Sequence, residues 1–188
     1  MKDKAHLLYL QNRVAYARDQ AAYKELYLYF HPVLYKLAYT ILQQDVLAEE
    51  VVTDVMIRIW TMENKLAYVD HLNRYLLTAA RNTAITYLKK QRVETRLPEA
   101  DSGTGPMSGY VPDQQLLSME LSSLIEQTVQ ALPPQCQLVY RLIKEEELSY
   151  KEAGAVLELS QNTLETHMRL ALKKLRRTLD AYLMKKKS

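Results

Sequence analysis

SYKEAGAVLELSQNTLETHMRLALKKLR, residues 149–176, is the stretch on which the fold of the chain turns. Ser149 and Glu152 form an S-x-x-E capping box, which opens a helix predicted to end at Leu157. Glu158, Leu159 and Ser160 make a turn, and Ser160 can cap a longer helix to about Leu183. Leu164, Met168, Ala171, Leu172, Leu175 and Leu179 recur at helical spacing and are expected inward. A short capped helix, a tight turn and a longer helix is the layout of a helix-turn-helix. Removing the inward positions leaves Gln161, Asn162, Glu165, Thr166, Arg169 and Lys173 outside. Amides suit adenine edges, Arg suits guanine, and a carboxylate accepts from the cytosine amino group. Lys174, Arg176 and Arg177 suit phosphates.

Working upstream, residues 115–131 are amphipathic, and Pro133 and Pro134 stop that helix. Pro134 suits the first turn of another helix ending near Ile143, with residues 144–147 (KEEE) as a polar connection. Residues 93–115 hold three of the four Gly and three of the six Pro of the chain, without periodicity. This segment is read as a linker between domains at 1–92 and 116–188. The first domain reads as helices only. One covers residues 4–17, Asp19 caps the next, and Pro32 bends it or starts another to Leu42. Asp45 caps a helix with Val51, Val55 and Ile59 inward and Glu49, Glu50, Asp54 and Arg58 outward. Residues 61–69 lose periodicity and read as a loop, and Asp70 caps a long helix to about Gln91. The expected fold class is all-α, two small helical domains on a flexible linker.

Composition limits the function. The chain has 188 residues, 48% apolar and 25% charged, in the range of globular proteins. A single cysteine, Cys136, excludes a disulfide framework and a cysteine zinc site. No signal peptide and no transmembrane segment are read, so the expected setting is cytoplasmic. The four histidines lie in separate elements, no phosphate-cradling glycine motif occurs, and no catalytic, metal or cofactor site is assigned. Charge is polarised: residues 116–159 hold three basic and seven acidic groups, whereas residues 160–188 hold eight and two. A basic face beside an acidic one points to two partners of opposite sign, nucleic acid being the usual one for the basic face.

Residues 132–176 closely resemble region 4 of the extracytoplasmic-function (ECF) sigma factors, a subfamily of sigma-70-type sigma factors of RNA polymerase. DQAAYKELYLYFHPVLYKLAYTIL, DVLAEEVVTDVMIRIW and LNRYLLTAARNTAITYLKK, in that order, resemble region 2 of the same family. The resemblance implies a promoter-specificity subunit with no enzymatic activity of its own. Region 2 is then expected to dock on the polymerase clamp helices and melt the −10 element. Region 4 is expected to dock on the β flap and read the −35 element. Carried to this chain, polymerase binding falls on Glu49, Glu50, Asp54 and Arg58. Contact with −10 DNA falls on Lys65, Tyr68, Asn73, Arg74, Tyr75, Arg81 and Asn82, and −35 contact on the outer residues of the 161–173 face. An anti-sigma factor is a further expected partner.

The chain departs from the family in places. Glu158 stands where the turn commonly has Gly, so the turn must avoid a left-handed residue there or be strained. Asn162 replaces a common basic residue, Glu165 is acidic where many members carry other residues, and Leu170 replaces a polar or basic type. The −35 sequence is therefore not transferable from other members. The competing reading is a stand-alone helix-turn-helix regulator with a helical interaction domain, which would bind a symmetric operator without polymerase. A helical adaptor binding only protein would show no salt-dependent DNA affinity.

Overall fold

A computed structural model describes residues 4–94 and 113–187, with side chains for 4–91 and 120–184. All regular elements among the described residues are helical. The chain divides into two units, Met1–Ser102 and Gly103–Ser188. The heart of the predicted linker, residues 95–112, lies outside the described residues.

In the first unit, α1 (Lys4–Ala17) and α2 (Gln20–Leu42) are joined by Arg18 and Asp19. Asp19 caps α2 by accepting from the Ala21 and Ala22 amides, as its sequence position predicts. Pro32 neither bends the chain into a new element nor ends one: α2 passes through it. The ring removes the donor that the Leu28 carbonyl would use, but Leu28 and Pro32 are both exposed, so that carbonyl is on the water side. α2 ends at Gln43, in the left-handed region with φ 56°, and Gln44 is the N-cap of α3 (Asp45–Thr61). Asp45 is thus the first helical residue rather than the cap, and its carboxylate accepts from the Tyr35 hydroxyl. Val51, Val55 and Ile59 are buried as expected.

Residues 61–69 are not a plain loop. Glu63–Tyr68 form a 3-10 helix with Leu66 fully buried. One apolar anchor in six residues leaves no periodicity to read, which is why the sequence showed none. α4 (Leu72–Glu94) follows, and the His71 carbonyl, not Asp70, opens its hydrogen-bond ladder by accepting from Tyr75. Phe30, Leu26, Leu34, Met56, Ile59, Leu76 and Leu77 form the centre of this unit's core.

The second unit contains α5 (Asp113–Gln130), α6 (Pro134–Tyr140), α7 (Tyr150–Leu157) and α8 (Gln161–Lys187). Pro134 is the first residue of α6, where its missing N–H costs nothing. The predicted end of this helix near Ile143 is a π turn, Arg141–Glu145, which takes in the start of the KEEE connection. Arg141 opens the turn. Its side chain is only 7% exposed and donates to Glu126 at 2.7 Å and to Glu145 at 2.9 Å. Burial opposes its charge, but the two carboxylates outweigh that, and its pKa is raised. The capping box of Ser149 and Glu152 is present in full. Val129, Leu132, Cys136, Ala171 and Leu175 form one apolar cluster, joining α5, α6 and α8.

Candidate functional site

On α8 the outer face forms as its spacing predicts. Gln161, Asn162, Glu165, Thr166, Arg169 and Lys173 are all exposed, while Leu164, Met168, Ala171 and Leu175 are buried. At 3.6 residues per turn the six span a sector of about 140°, centred about 120° from the buried row. Leu172 is the one inward assignment that fails outright: it is 44% exposed. One step of about 100° past the buried Ala171 carries it out of the contact row. Leu179, also expected inward, is half-buried. The N-terminal end of the face is pre-ordered. Gln161 donates to Glu165 at 2.9 Å, and the Thr166 hydroxyl donates to the Asn162 carbonyl at 2.9 Å. Ser160 Oγ accepts from the Thr163 amide at 3.3 Å, confirming it as a cap. Lys174 is not presented with this face: its ammonium donates to the Ala131 carbonyl at the end of α5.

α7 meets α8 closely because of Gly154. A Cβ there would stand 3.0 Å from the Leu159 carbonyl oxygen and 3.4 Å from Leu164. The glycine of this motif is therefore used for packing, and the left-handed turn falls on Glu158, with φ 55° and ψ 42°. The sequence left two outcomes open for this turn, and the strained one holds.

In the first unit, Glu49, Glu50 and Asp54 are exposed on α3. With Val46, Thr53 and Tyr87 they line an open concavity of about 510 Å³. Val46, 71% exposed, and Ile57, 53% exposed, add apolar surface to this acidic face. Tyr87 of α4, which sequence reading did not single out, donates to Asp54 at 2.7 Å. His31 of α2 lies 2.9 Å from Glu49. The Tyr87 pKa is pushed up to about 12, first by that hydrogen bond, then by burial and by the charges of Asp54 and Glu50. Arg58 is exposed one turn further along but does not line the concavity.

Of the residues expected at −10 DNA, Lys65 and Tyr68 are exposed on the 3-10 helix, Tyr68 by 79%. Positions three apart in such a helix eclipse, so the two share one edge. On α4, Arg74 and Arg81 stand seven apart on one side, and Tyr75 and Asn82 likewise on the adjacent side. All four are at least partly open to solvent, and Arg81 donates to Asn82 at 3.1 Å. Asn73 is placed differently. It lies on the line of the buried Leu77 and Ala80, is half-buried, and its carbonyl oxygen is closed from solvent with no hydrogen-bond partner. The sequence missed the residues behind this surface, Gln11, Arg18 and Trp60. The one signal for them was a polar Gln11 in step with Leu7, Leu10 and Val14 on the apolar side of α1.

No helix among the described residues is long and apolar enough to cross a membrane. Residues 26–94 match the family described as Sigma-70 region 2, and residues 122–175 match Sigma-70, region 4. The chain is 25% identical over 169 residues to the ECF RNA polymerase sigma factor SigW of Bacillus subtilis (strain 168), covering 86% of this chain and 90% of SigW. Its fold is similar to that of the sigma factor RpoE from Bartonella quintana, solved in complex with the anti-sigma factor NepR. That match has a TM-score of 0.60 at 19% identity and covers 84% of this chain and 96% of RpoE. It is also similar to CnrH, solved with the cytosolic domain of CnrY, with a TM-score of 0.54 at 20% identity, covering 94% and 98%.

Proposed function

Since the chain belongs to the ECF subfamily of sigma-70-type RNA polymerase sigma factors, we propose that its exposed faces divide the work of promoter recognition, one binding core polymerase, one reading the −35 element and one melting the −10 element. The protein is a transcription initiation factor, acting in the cytoplasm with polymerase, and it directs initiation at specific promoters. The observation that carries the residue assignment is the single exposed stripe of six hydrogen-bonding side chains on α8, in a helix-turn-helix matched to region 4. Arg169 and Lys173 meet the −35 duplex beside Gln161, Asn162, Glu165 and Thr166, with Arg176 and Arg177 toward phosphates.

The acidic concavity of Glu49, Glu50 and Asp54 takes the clamp helices of polymerase, with Arg58 at its margin. Val46 and Ile57 supply the apolar contact that a charged rim alone lacks. The edge of Lys65 and Tyr68, with Arg74, Tyr75, Arg81 and Asn82, receives the opened −10 strand. An aromatic ring and cationic groups suit stacked bases and phosphates. Asn73, half-buried on the same helix, lies behind that edge rather than on it. Binding to the opened strand then drives melting without a nucleotide cofactor. An anti-sigma factor is a further partner, in line with the complex of NepR with RpoE. A stand-alone regulator is not retained, because a region 2 match occupies the half that this alternative left for an effector.

The test is transcription in vitro with core polymerase and a library of genomic fragments. New start sites dependent on this protein are expected. Arg169→Ala is expected to change −35 preference, and Glu49→Ala with Asp54→Ala to weaken polymerase binding without unfolding the chain. Absence of any dependent start site would remove the reading.

A further inference from the structure

The edge that carries Lys65 and Tyr68 is held from α1, 55 residues away in sequence. Gln11 is only 3% exposed, between the buried Leu10 and Val14. Its side-chain nitrogen donates to the Leu66 carbonyl at 2.7 Å and to the Val69 carbonyl at 2.8 Å. An uncharged amide has two hydrogens on one nitrogen, so one buried side chain can serve two carbonyls without burying a charge. The Leu66 carbonyl also accepts from the Val69 amide at 3.1 Å, closing the last turn of the 3-10 helix. Gln11 therefore grips that turn from outside.

The opposite end of the segment is gripped from the joint after α1. The Arg18 guanidinium lies 4.0 Å over the Trp60 ring and donates to the Trp60 carbonyl in the last turn of α3. Between the two grips, Glu63 adopts a left-handed backbone with φ 50°, and Leu66 is the only buried side chain. A short 3-10 helix has poor hydrogen-bond geometry of its own. With a single apolar anchor, its shape depends on what holds its ends.

We propose that Gln11 and Arg18 are positioning residues for capture of the opened −10 strand: they fix both ends of residues 61–69 so that Lys65 and Tyr68 stay aligned on one edge. The inference rests on the reading that this edge meets single-stranded DNA. Neither residue need touch DNA. Their contribution is to remove the ordering that the segment would otherwise undergo on binding.

The experiment uses the full chain with core polymerase and a promoter recovered from the genomic selection. Affinity is measured for the promoter duplex with a single-stranded non-template −10 overhang and for the same duplex without it. The gain from the overhang is the readout. Gln11→Leu should cut that gain about tenfold, in keeping with loss of two buried hydrogen bonds and of preorganisation, while core binding and plain-duplex affinity stay unchanged. Amide exchange at residues 65–69 should speed up in the same variant. Lys65→Ala with Tyr68→Ala tests the underlying reading separately. If that pair keeps the gain, the reading falls. If the pair loses the gain and Gln11→Leu keeps it, the positioning role is wrong. Should Gln11→Leu fail to fold, Arg18→Met decides in the same assay, and full retention of the gain there overturns the proposal.

Discussion

Glu158 carries the turn of the helix-turn-helix at φ 55° and ψ 42°, a backbone that costs a residue with a Cβ about 1–2 kcal/mol. Glu158→Gly is therefore expected to stabilise the second unit by about 1 kcal/mol, read as a higher melting midpoint. A lower midpoint would mean that the Glu side chain returns more than the backbone loses. Tyr87 makes a second prediction. Its proton is held more tightly in the folded chain than in the unfolded one, from 10.0 to about 12, through the bond to Asp54. A raised folded pKa gives stability that is complete below pH 10 and lost as pH rises to about 12. Tyr35, bonded to Asp45, behaves alike and is also raised to about 12. Burial also raises Tyr23 and Tyr140, so alkaline titration of tyrosinate absorbance should show a late-titrating set in the native protein, and Tyr87→Phe should remove one group from it and flatten the alkaline loss of stability. If the variant loses no late-titrating group, the Tyr87–Asp54 bond does not persist in solution.

Elements with a regular apolar spacing could be read directly from the chain. The bounds of α1, the cap at Asp19, the Pro134 start and the capping box of α7 all follow from local chemistry. Three elements could not. Pro32 stays inside α2 because the Leu28 carbonyl it orphans faces water, and the 3-10 helix is anchored by Leu66 and by a Gln11 distant in sequence. The π turn opens at Arg141, whose two acidic partners lie on either side of it in sequence. Arg141→Met is expected to lower the stability of the second unit by about 2–3 kcal/mol. That is less than a wholly buried charge would cost, since Glu126 and Glu145 keep 34% and 32% of their side chains in water. Denaturant melting checks it, and an unchanged midpoint would mean that the network does not hold this fold. The outer row of α8 and the acids of α3 were equally legible, because exposure follows from the helical period. Tyr87, Gln11 and Arg18 were not, since each acts on a partner distant in sequence.

Across the whole molecule, charge is distributed by partner. Residues 160–188 hold eight basic groups against two acidic, while the rim of the α3 concavity is acidic. Neutralising a phosphate contact lowers the salt sensitivity of DNA binding by about one unit of slope in log affinity against log salt. Arg176→Ala with Arg177→Ala is expected to reduce that slope by about two in the polymerase complex and to weaken all promoters alike. Loss confined to some promoters would mean that these side chains read bases. The length of α8 carries one more consequence. The six outer residues from Gln161 to Lys173 occupy about 18 Å of axis, and the 14 residues after Lys173 extend about 20 Å beyond them. Leu183 and Met184, both exposed, sit on that overhang. A dye or fused tag placed there would clear the DNA footprint, so the far end of this rod is a natural handle for watching the factor engage and leave a gene without disturbing it.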